Sequence, residues 1–424
     1  MRVLITSVRT PHAINIIRSF GALGWEITAA DCTSLSPGLY SRFVTRRLVV
    51  PPLSENPAGF VDALCNELQR QEYDLLFPTF EDTFVVSLFR ERFEQYTKVL
   101  VSDYSLFMKV HNKVSLTALC NEWGIATPPT WTLKSMNDLD SVAAQVEYPA
   151  VVKLPDVNNS LGLAFVDDAE SLKKHVRKVV KFFGLTDDRL PMIQKKIEGD
   201  LIFSLFLADH GKTVGSLIYK PLKMFPDGGG TAFYRESVRN PEAEQLAQRL
   251  IEKLGWHGFI GFDYVIDPET GTPYLIDANP RVNPAYQTGE CAGVPFTQMA
   301  VDIVSGKSPE PMLEPKPGVR FKTLFVEAIW FVFQFLPGKN YGRRVRDALS
   351  VFRKREFNPD VHRGDDKKPS LMMALFMHYF LFVINVYRPK TGGFMFSCNY
   401  NLGTEAKLNP KRPALENDTT KEAS

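Results

Sequence analysis

The sequence predicts an α/β amino-terminal domain over residues 1–104, an α+β domain over 105–310 and a helical, aromatic-rich carboxyl-terminal extension over 311–424. Three observations carry this reading. Up to about residue 104, short apolar runs alternate with amphipathic stretches, the pattern of a parallel sheet wrapped by helices. From Tyr148 to Ala278 long runs rich in Val, Ile and Phe are joined by Gly-containing turns, with two clear helices near 168–182 and 241–254. Beyond Gly318 the composition turns aromatic, and many of the 31 Phe lie after residue 320.

Each element follows from local pattern. Val3-Leu4-Ile5 reads as a buried strand, and Ile14, Ile17, Phe20 and Leu23 form the stripe of a helix stopped by Gly24. Glu26 to Ala30 is a second strand, closed by Asp31, and a helix around Phe60, Leu64 and Leu68 leads to a third, Leu75-Leu76-Phe77. Val99-Leu100-Val101 is the fourth. Ser102 caps a predicted helix that runs to Trp123, with Gly124 as its stop, and Pro128-Pro129 stiffens the connection after it. Asp267-Pro268-Glu269-Thr270-Gly271 has the chemistry of a hairpin turn. The residues from about 410 onward are polar enough to be disordered.

Composition narrows the function classes. With 50 basic against 48 acidic side chains, no basic field drives nucleic-acid binding. Five widely spaced cysteines give neither a disulfide framework nor a zinc site and fit a cytoplasmic protein. Met1 runs directly into Arg2-Val3-Leu4-Ile5-Thr6, which is not the pattern of a secretory signal. Asp31 at the end of a strand suits a dinucleotide ribose, but the loop Ser7-Val8-Arg9-Thr10-Pro11-His12 has no glycine to admit a pyrophosphate, so a dinucleotide-dependent oxidoreductase is disfavoured.

The chemistry concentrates in Gly261-Phe262-Asp263-Tyr264-Val265-Ile266 and Tyr274-Leu275-Ile276-Asp277-Ala278-Asn279-Pro280-Arg281. Side chains alternate along a strand, so Asp277 and Asn279 share a face, and the short hairpin brings Asp263 opposite them. These hard oxygen donors suit Mg²⁺ bound with phosphates, and Arg281 adds a fixed positive fork for a phosphoryl group.

The order of features resembles the ATP-grasp superfamily, the fold of carbamoyl-phosphate synthase large subunits, biotin carboxylases and many carboxylate–amine ligases. The likeness covers residues 1 to about 310. It implies that the α+β part is an ATP-grasp domain. Lys113 in His111-Asn112-Lys113-Val114 and Lys153 ending Tyr148-Pro149-Ala150-Val151-Val152-Lys153 match the two lysines that touch ATP phosphates in the family. The adenine-binding hinge matches Met192-Ile193-Gln194-Lys195-Lys196-Ile197-Glu198-Gly199-Asp200, where Gln194 lines the nucleotide, the main chain of Lys195 and Ile197 reads adenine, and Asp200 holds the ribose.

By the same resemblance the metal ligands are Asp263, Asp277 and Asn279, for Mg²⁺ or Mn²⁺, and the catalytic residues are Arg281 and Lys153. The lid Leu154–Gly162 replaces the family's glycines with Asn158 and Asn159, and Ser160 supplies a donor to the phosphates. Asp277 stands where Glu is more usual. The implied activity is an ATP- and Mg²⁺-dependent ligase that joins a small-molecule carboxylate to an amine through an acyl phosphate. The altered lid and Asp277 motivate the alternative, an ATP-binding regulatory or scaffold protein with catalysis lost. Arg235, just beyond Asp227-Gly228-Gly229-Gly230-Thr231, and Arg9, at the carboxyl end of the first strand, are the candidates for the substrate carboxylate, with His12, Glu81 and Asp82 weaker ones.

Residues 371–387 form an uncharged run of 17, short for a membrane span of about 20. Lys339 to Lys368, before it, holds ten Lys or Arg against five Asp or Glu. Two readings stay open: a helix buried against the ligase core or in a homodimer interface, and peripheral contact with the inner membrane through aromatic helices and a basic stretch.

Overall fold

A computed structural model describes residues 1–157, 162–225, 230–335, 341–349, 358–359 and 364–378. It begins with β1 (Arg2–Thr6), α1 (Pro11–Ala22), β2 (Glu26–Asp31), β3 (Val44–Val49), α2 (Pro57–Arg70), β4 (Leu75–Pro78), the short helices α3 (Asp82–Leu88) and α4 (Arg90–Glu94), and β5 (Lys98–Val99). The five strands form one parallel sheet in the order β3-β2-β1-β4-β5. Val3, Leu4 and Ile5 at its centre are fully buried, as a strand covered on both faces requires. Strand β3 is the addition to the sequence reading. It is an edge strand whose Thr45, Arg46 and Arg47 are exposed, so it has no apolar run to announce it.

The predicted single helix from Ser102 to Trp123 is two helices, α5 (Tyr104–His111) and α6 (Lys113–Glu122). Asn112 leaves the helical region at φ −73°, ψ 114° and its side chain accepts from the N–H groups of Val114 and Ser115. It is thus the cap of α6 and makes Lys113 the first residue of a new helix. Ser102 caps nothing. Its hydroxyl instead accepts from His257 N at 2.8 Å and donates to His257 O at 3.0 Å.

Next come β6 (Thr130–Thr132), α7 (Leu139–Ala143), β7 (Ala150–Lys153), β8 (Ala164–Val166), α8 (Ala169–Phe183) and β9 (Met192–Lys195). The strands make an antiparallel sheet, β6-β9-β7-β8, against which α8 buries Leu172 and Val176. A second antiparallel sheet starts with β10 (Asp200–Asp209), β11 (Lys212–Phe225) and β12 (Thr231–Val238), followed by α9 (Pro241–Leu254) and the hairpin β13 (Gly258–Ile266)–β14 (Pro273–Asn279). The predicted α+β segment therefore holds two sheets rather than one. Its two helices and the turn at 267–271 fall where the pattern put them.

The chain continues through α10 (Tyr286–Cys291), α11 (Phe296–Val304), β15 (Arg320–Lys322), α12 (Leu324–Gln334), α13 (Tyr341–Leu349), β16 (Asn358–Pro359) and α14 (Lys368–His378). Strands β15 and β16 extend the second sheet to β14-β13-β10-β11-β12-β15-β16. Trp330 of α12 is buried against Phe233, ring centroids 5.6 Å apart, with Lys223 over its face. Asp366, before α14, docks on the first sheet's layer. Its carboxylate accepts from Arg18 Nε at 2.9 Å, Ser41 Oγ at 2.8 Å and Arg42 N at 3.0 Å, so the buried charge is fully matched. Among the described residues no helix is long and apolar enough to cross a membrane. Most of the uncharged run 371–387, and the tail from 410, lie outside the described residues.

Candidate functional site

The site grows from the β13–β14 hairpin. Its register sets Asp263 opposite Asp277 and Gly261 opposite Asn279, with a bulge just after Asp263. The bulge leaves the two carboxylates cross-strand neighbours on one face. The Asn279 amide nitrogen lies 3.5 Å from Asp263 Oδ2, a long contact that the opposite amide orientation would replace with a third oxygen.

Two lysines converge on this face from different elements. The cap at Asn112 starts α6 so that Lys113 Nζ lies 3.2 Å from Asp277 Oδ1 and donates to Val157 O at 3.0 Å. Lys153, the last residue of β7, donates to Gln194 Oε1 at 2.8 Å and to Ile276 O at 3.0 Å. Gln194 is held in turn by Thr130 at 3.1 Å. The hinge strand therefore orients Lys153 from one side and the hairpin from the other.

Burial governs the electrostatics. It pushes the Asp263 carboxyl up to about 8, the Asp277 carboxylate adds to the push, and Lys113, Lys153 and Arg281 oppose it. It also pushes the Lys153 ammonium down to about 8, against the Asp277 carboxylate that holds it up. Two facing acids, one of which keeps its proton near neutral pH, fit a divalent cation, which would take the place of that proton. The donor set of two carboxylates and an amide carbonyl is hard oxygen and suits Mg²⁺ or Mn²⁺.

On the hinge, Lys195 N–H donates to Pro129 O and Lys196 N–H to Pro149 O. The Lys195 N–H is thus used within the sheet, and only its carbonyl can read a ligand. Proline has no N–H to return, so Pro129 leaves that carbonyl without a reciprocal ladder bond. Ile197 and Asp200 follow, and Asp200 is exposed at the start of β10. Gly199 lies so close to the hairpin that a Cβ there would sit 2.0 Å from Ile266 O. Lid residues Asn158, Asn159 and Ser160 lie outside the described residues, as do Asp227, Gly228 and Gly229.

Arg281 lies just past β14. Its guanidinium is 3.5 Å from Glu81, donates to Val282 O at 3.2 Å and lies over the Phe80 ring at 4.8 Å. It marks a second cluster at the carboxyl end of the first sheet. There Arg9 and Asp31 form a fully buried pair at 2.5 Å, Thr6 hydrogen-bonds Asp82, and His12 contacts Thr79 O at 2.8 Å. Burial pushes the His12 imidazole down to about 3, helped by the charges of Arg281 and Arg235. Arg235 is itself buried and donates to Ala232 O and Thr323 Oγ1.

Lys113, Lys153, Gln194, Asp263, Asp277 and Asn279 are thus brought together, with Arg281 at the border of the two clusters. Arg9 and Arg235 do not join the first cluster, and Asp31 serves as Arg9's partner. Sequence reasoning missed the Asn112 cap, although Asn followed by a lysine-led helix is a readable signal. It left Glu81 as a weak candidate, and its pairing with Arg281 is tertiary and has no local signature.

Residues 110–284 match the family model described as an ATP-grasp domain. The carbamoyl phosphate synthase large chain, C-terminal section, of Methanopyrus kandleri is 24% identical over 259 residues, covering 58% of this chain and 47% of that protein. This chain therefore spans about half the length of that relative. Among solved structures, the biotin carboxylase domain dimer of Hydrogenobacter thermophilus 2-oxoglutarate carboxylase, in complex with MgADP, ADP and bicarbonate, superposes with a TM-score of 0.60 at 15% identity, over 75% of this chain and 72% of that one. An L-amino acid ligase from Bacillus licheniformis superposes with a TM-score of 0.56 at 18% identity, over 74% and 77%. Residues 110–284 thus match the ATP-grasp domain model, and the chain shares its fold with the biotin carboxylase domain and the L-amino acid ligase.

Proposed function

We propose that the protein is an ATP-dependent ligase that activates a small-molecule carboxylate as an acyl phosphate and transfers the acyl group to an amine. The observation that carries this reading is the convergence of Lys113 and Lys153 on the Asp263–Asp277 pair. Lys113 and Lys153 would bind the ATP phosphates, the Lys195 carbonyl and Ile197 N–H would read adenine, and Asp200 would hold the ribose. Asp263, Asp277 and Asn279 would hold Mg²⁺, which supplies charge neutralisation at the β- and γ-phosphate oxygens. Arg281 would stabilise the equatorial oxygens as a substrate carboxylate oxygen bonds to the γ-phosphorus and ADP leaves. An amine nitrogen then bonds to the acyl carbon, loses a proton, and phosphate departs.

The relatives support the class: one is a carbamoyl phosphate synthase section and one solved structure is an L-amino acid ligase. The test is phosphate release from ATP with pooled carboxylates and amines. Release that needs both pools, with ¹⁸O passing from labelled carboxylate to phosphate, supports the reading. ATP binding with no release on any pool favours the regulatory alternative.

For the extension, we infer peripheral contact with an anionic membrane. Val332, Phe333 and Phe335 at the end of α12 are exposed, as are Arg343 and Arg346 of α13. Sedimentation with anionic but not neutral vesicles is the expected result, and sedimentation with neither overturns it.

A further inference from the structure

A cluster far from the nucleotide site has the makings of a metal centre. Asp209 ends β10, His210 and Gly211 turn the chain into β11, and His257 lies in the loop between α9 and β13. Three features bring these residues together. Gly211 N–H donates to Trp256 O at 2.7 Å, docking the turn on the loop. Ser102 hydrogen-bonds both the N–H and the carbonyl of His257, fixing its backbone. His210 sits at φ +44°, in the left-handed region that a β-carbon disfavours, and this conformation lays its ring on that of His257 with centroids 4.2 Å apart and planes at 15°.

The donor atoms are already close. His257 Nδ1 is 3.2 Å from Asp209 Oδ1, His210 Nε2 is 4.0 Å from the same oxygen, and one atom from each residue falls within 4.8 Å of the others. Two donors bound tetrahedrally at about 2.0–2.1 Å from an ion lie ~3.3 Å apart, so the His257–Asp209 pair is at coordination spacing. His257 Nδ1 is buried and makes no well-formed hydrogen bond despite facing that carboxylate. A cation between the two satisfies both. The His210 side chain is 72% exposed and stacks on His257, itself one of the ligands, so a shift of its ring completes the set.

We propose that Asp209, His210 and His257 form a binding site for a divalent transition metal of the zinc class, with water as a further ligand. Two imidazoles and one carboxylate are borderline donors that favour Zn²⁺, Co²⁺ or Ni²⁺ over Mg²⁺. The Arg90 guanidinium acts electrostatically on His257, but it is itself paired with Glu94 and Asp103. The site is distinct from the hairpin acids. His257 immediately precedes β13 and Asp263 lies six residues further along, ~20 Å away at the rise of an extended strand. The ion ties the β10–β11 turn to the Ser102–His257 knot, where the chain leaves the first sheet, and so stiffens that junction.

The test uses the untagged full chain, stripped with a chelator and titrated with Co²⁺ and with Zn²⁺ in the absence of nucleotide. One equivalent of Co²⁺ should give the visible absorption of a four-coordinate nitrogen–oxygen site. Zn²⁺ should raise the melting temperature by ~2–5 °C. His210→Gly removes an exposed ligand and relieves the positive φ, so it keeps the fold; it should abolish both signals, and Asp277→Asn should leave both intact. Signals that survive His210→Gly, a cobalt spectrum with thiolate charge-transfer bands, or no saturable uptake would each overturn the assignment.

Discussion

The two charged clusters that meet at Arg281 are built on opposite principles. At the carboxyl end of the first sheet, buried charges are matched within the protein: Arg9 with Asp31, Glu81 with Arg281, Asp82 with Thr6. On the hairpin, two acids face each other: Asp263 opposes Asp277, and Lys113 and Lys153 converge on them, their hydrogen-bond acceptors among side chains and main-chain carbonyls being Gln194 Oε1, Val157 O and Ile276 O. The first arrangement stabilises the fold. The second holds strain that a cation and a polyanion together would relieve, which is why it carries the functional reading. Removing a charge should therefore act on stability in one cluster and on ligand binding in the other.

The largest effect expected is on the matched side. Asp31→Ala leaves Arg9 buried without its carboxylate and should cost ~3–5 kcal/mol in urea unfolding. A cost near zero would show that the pair is not buried as described. On the facing side, Lys113→Ala or Lys153→Ala should lower phosphate release by ~10²–10³-fold, with unfolding midpoints close to those of the parent chain. Asp277→Asn should raise the Mg²⁺ concentration needed for half-maximal nucleotide binding by more than ~10-fold, since loss of an outer-shell partner alone costs that much. A variant that saturates at the parent's Mg²⁺ concentration would break the contrast between the clusters.

Smaller effects sharpen it. His12 and His111 are held neutral by burial down to about 3. Their ordinary value is 6.5, so between 6.5 and about 3 the unfolded chain binds protons that the folded chain does not. Stability therefore falls as pH drops through that window, by up to ~1.4 kcal/mol per pH unit for each imidazole. His111→Gln should flatten the slope between pH 6.5 and 5 by about one such increment. Asp263→Asn removes an acid that burial and Asp277 both disfavour, so it should raise the melting temperature of the metal-free protein slightly while weakening Mg²⁺ binding.

The same contrast explains what the sequence made legible. The placing of Asp263, Asp277 and Asn279 on one face is readable because strand alternation and a short hairpin are local rules, and the register has Asp263 opposite Asp277. The placing of Lys153 at a strand end is readable for the same reason. The matched cluster is not, since Arg9–Asp31 joins different elements and Glu81 and Arg281 are 200 residues apart in the sequence. Arg18 and Asp366 are 348 residues apart, and no local pattern announces their clasp. The break at Asn112 was overridden by a good apolar period on both sides. Strand β3 escaped because an edge strand with Arg46 and Arg47 has no reason to look hydrophobic.

The central claim is that two lysines and a pair of facing carboxylates form the Mg²⁺–ATP phosphate site. Calorimetric titration of the full chain with ATP, with and without Mg²⁺, tests it most directly when run beside Lys153→Ala. The account predicts one saturable, Mg²⁺-dependent site in the parent chain and an affinity more than ~10-fold weaker in the variant. Equal affinity in the two proteins, or binding indifferent to Mg²⁺, would contradict it.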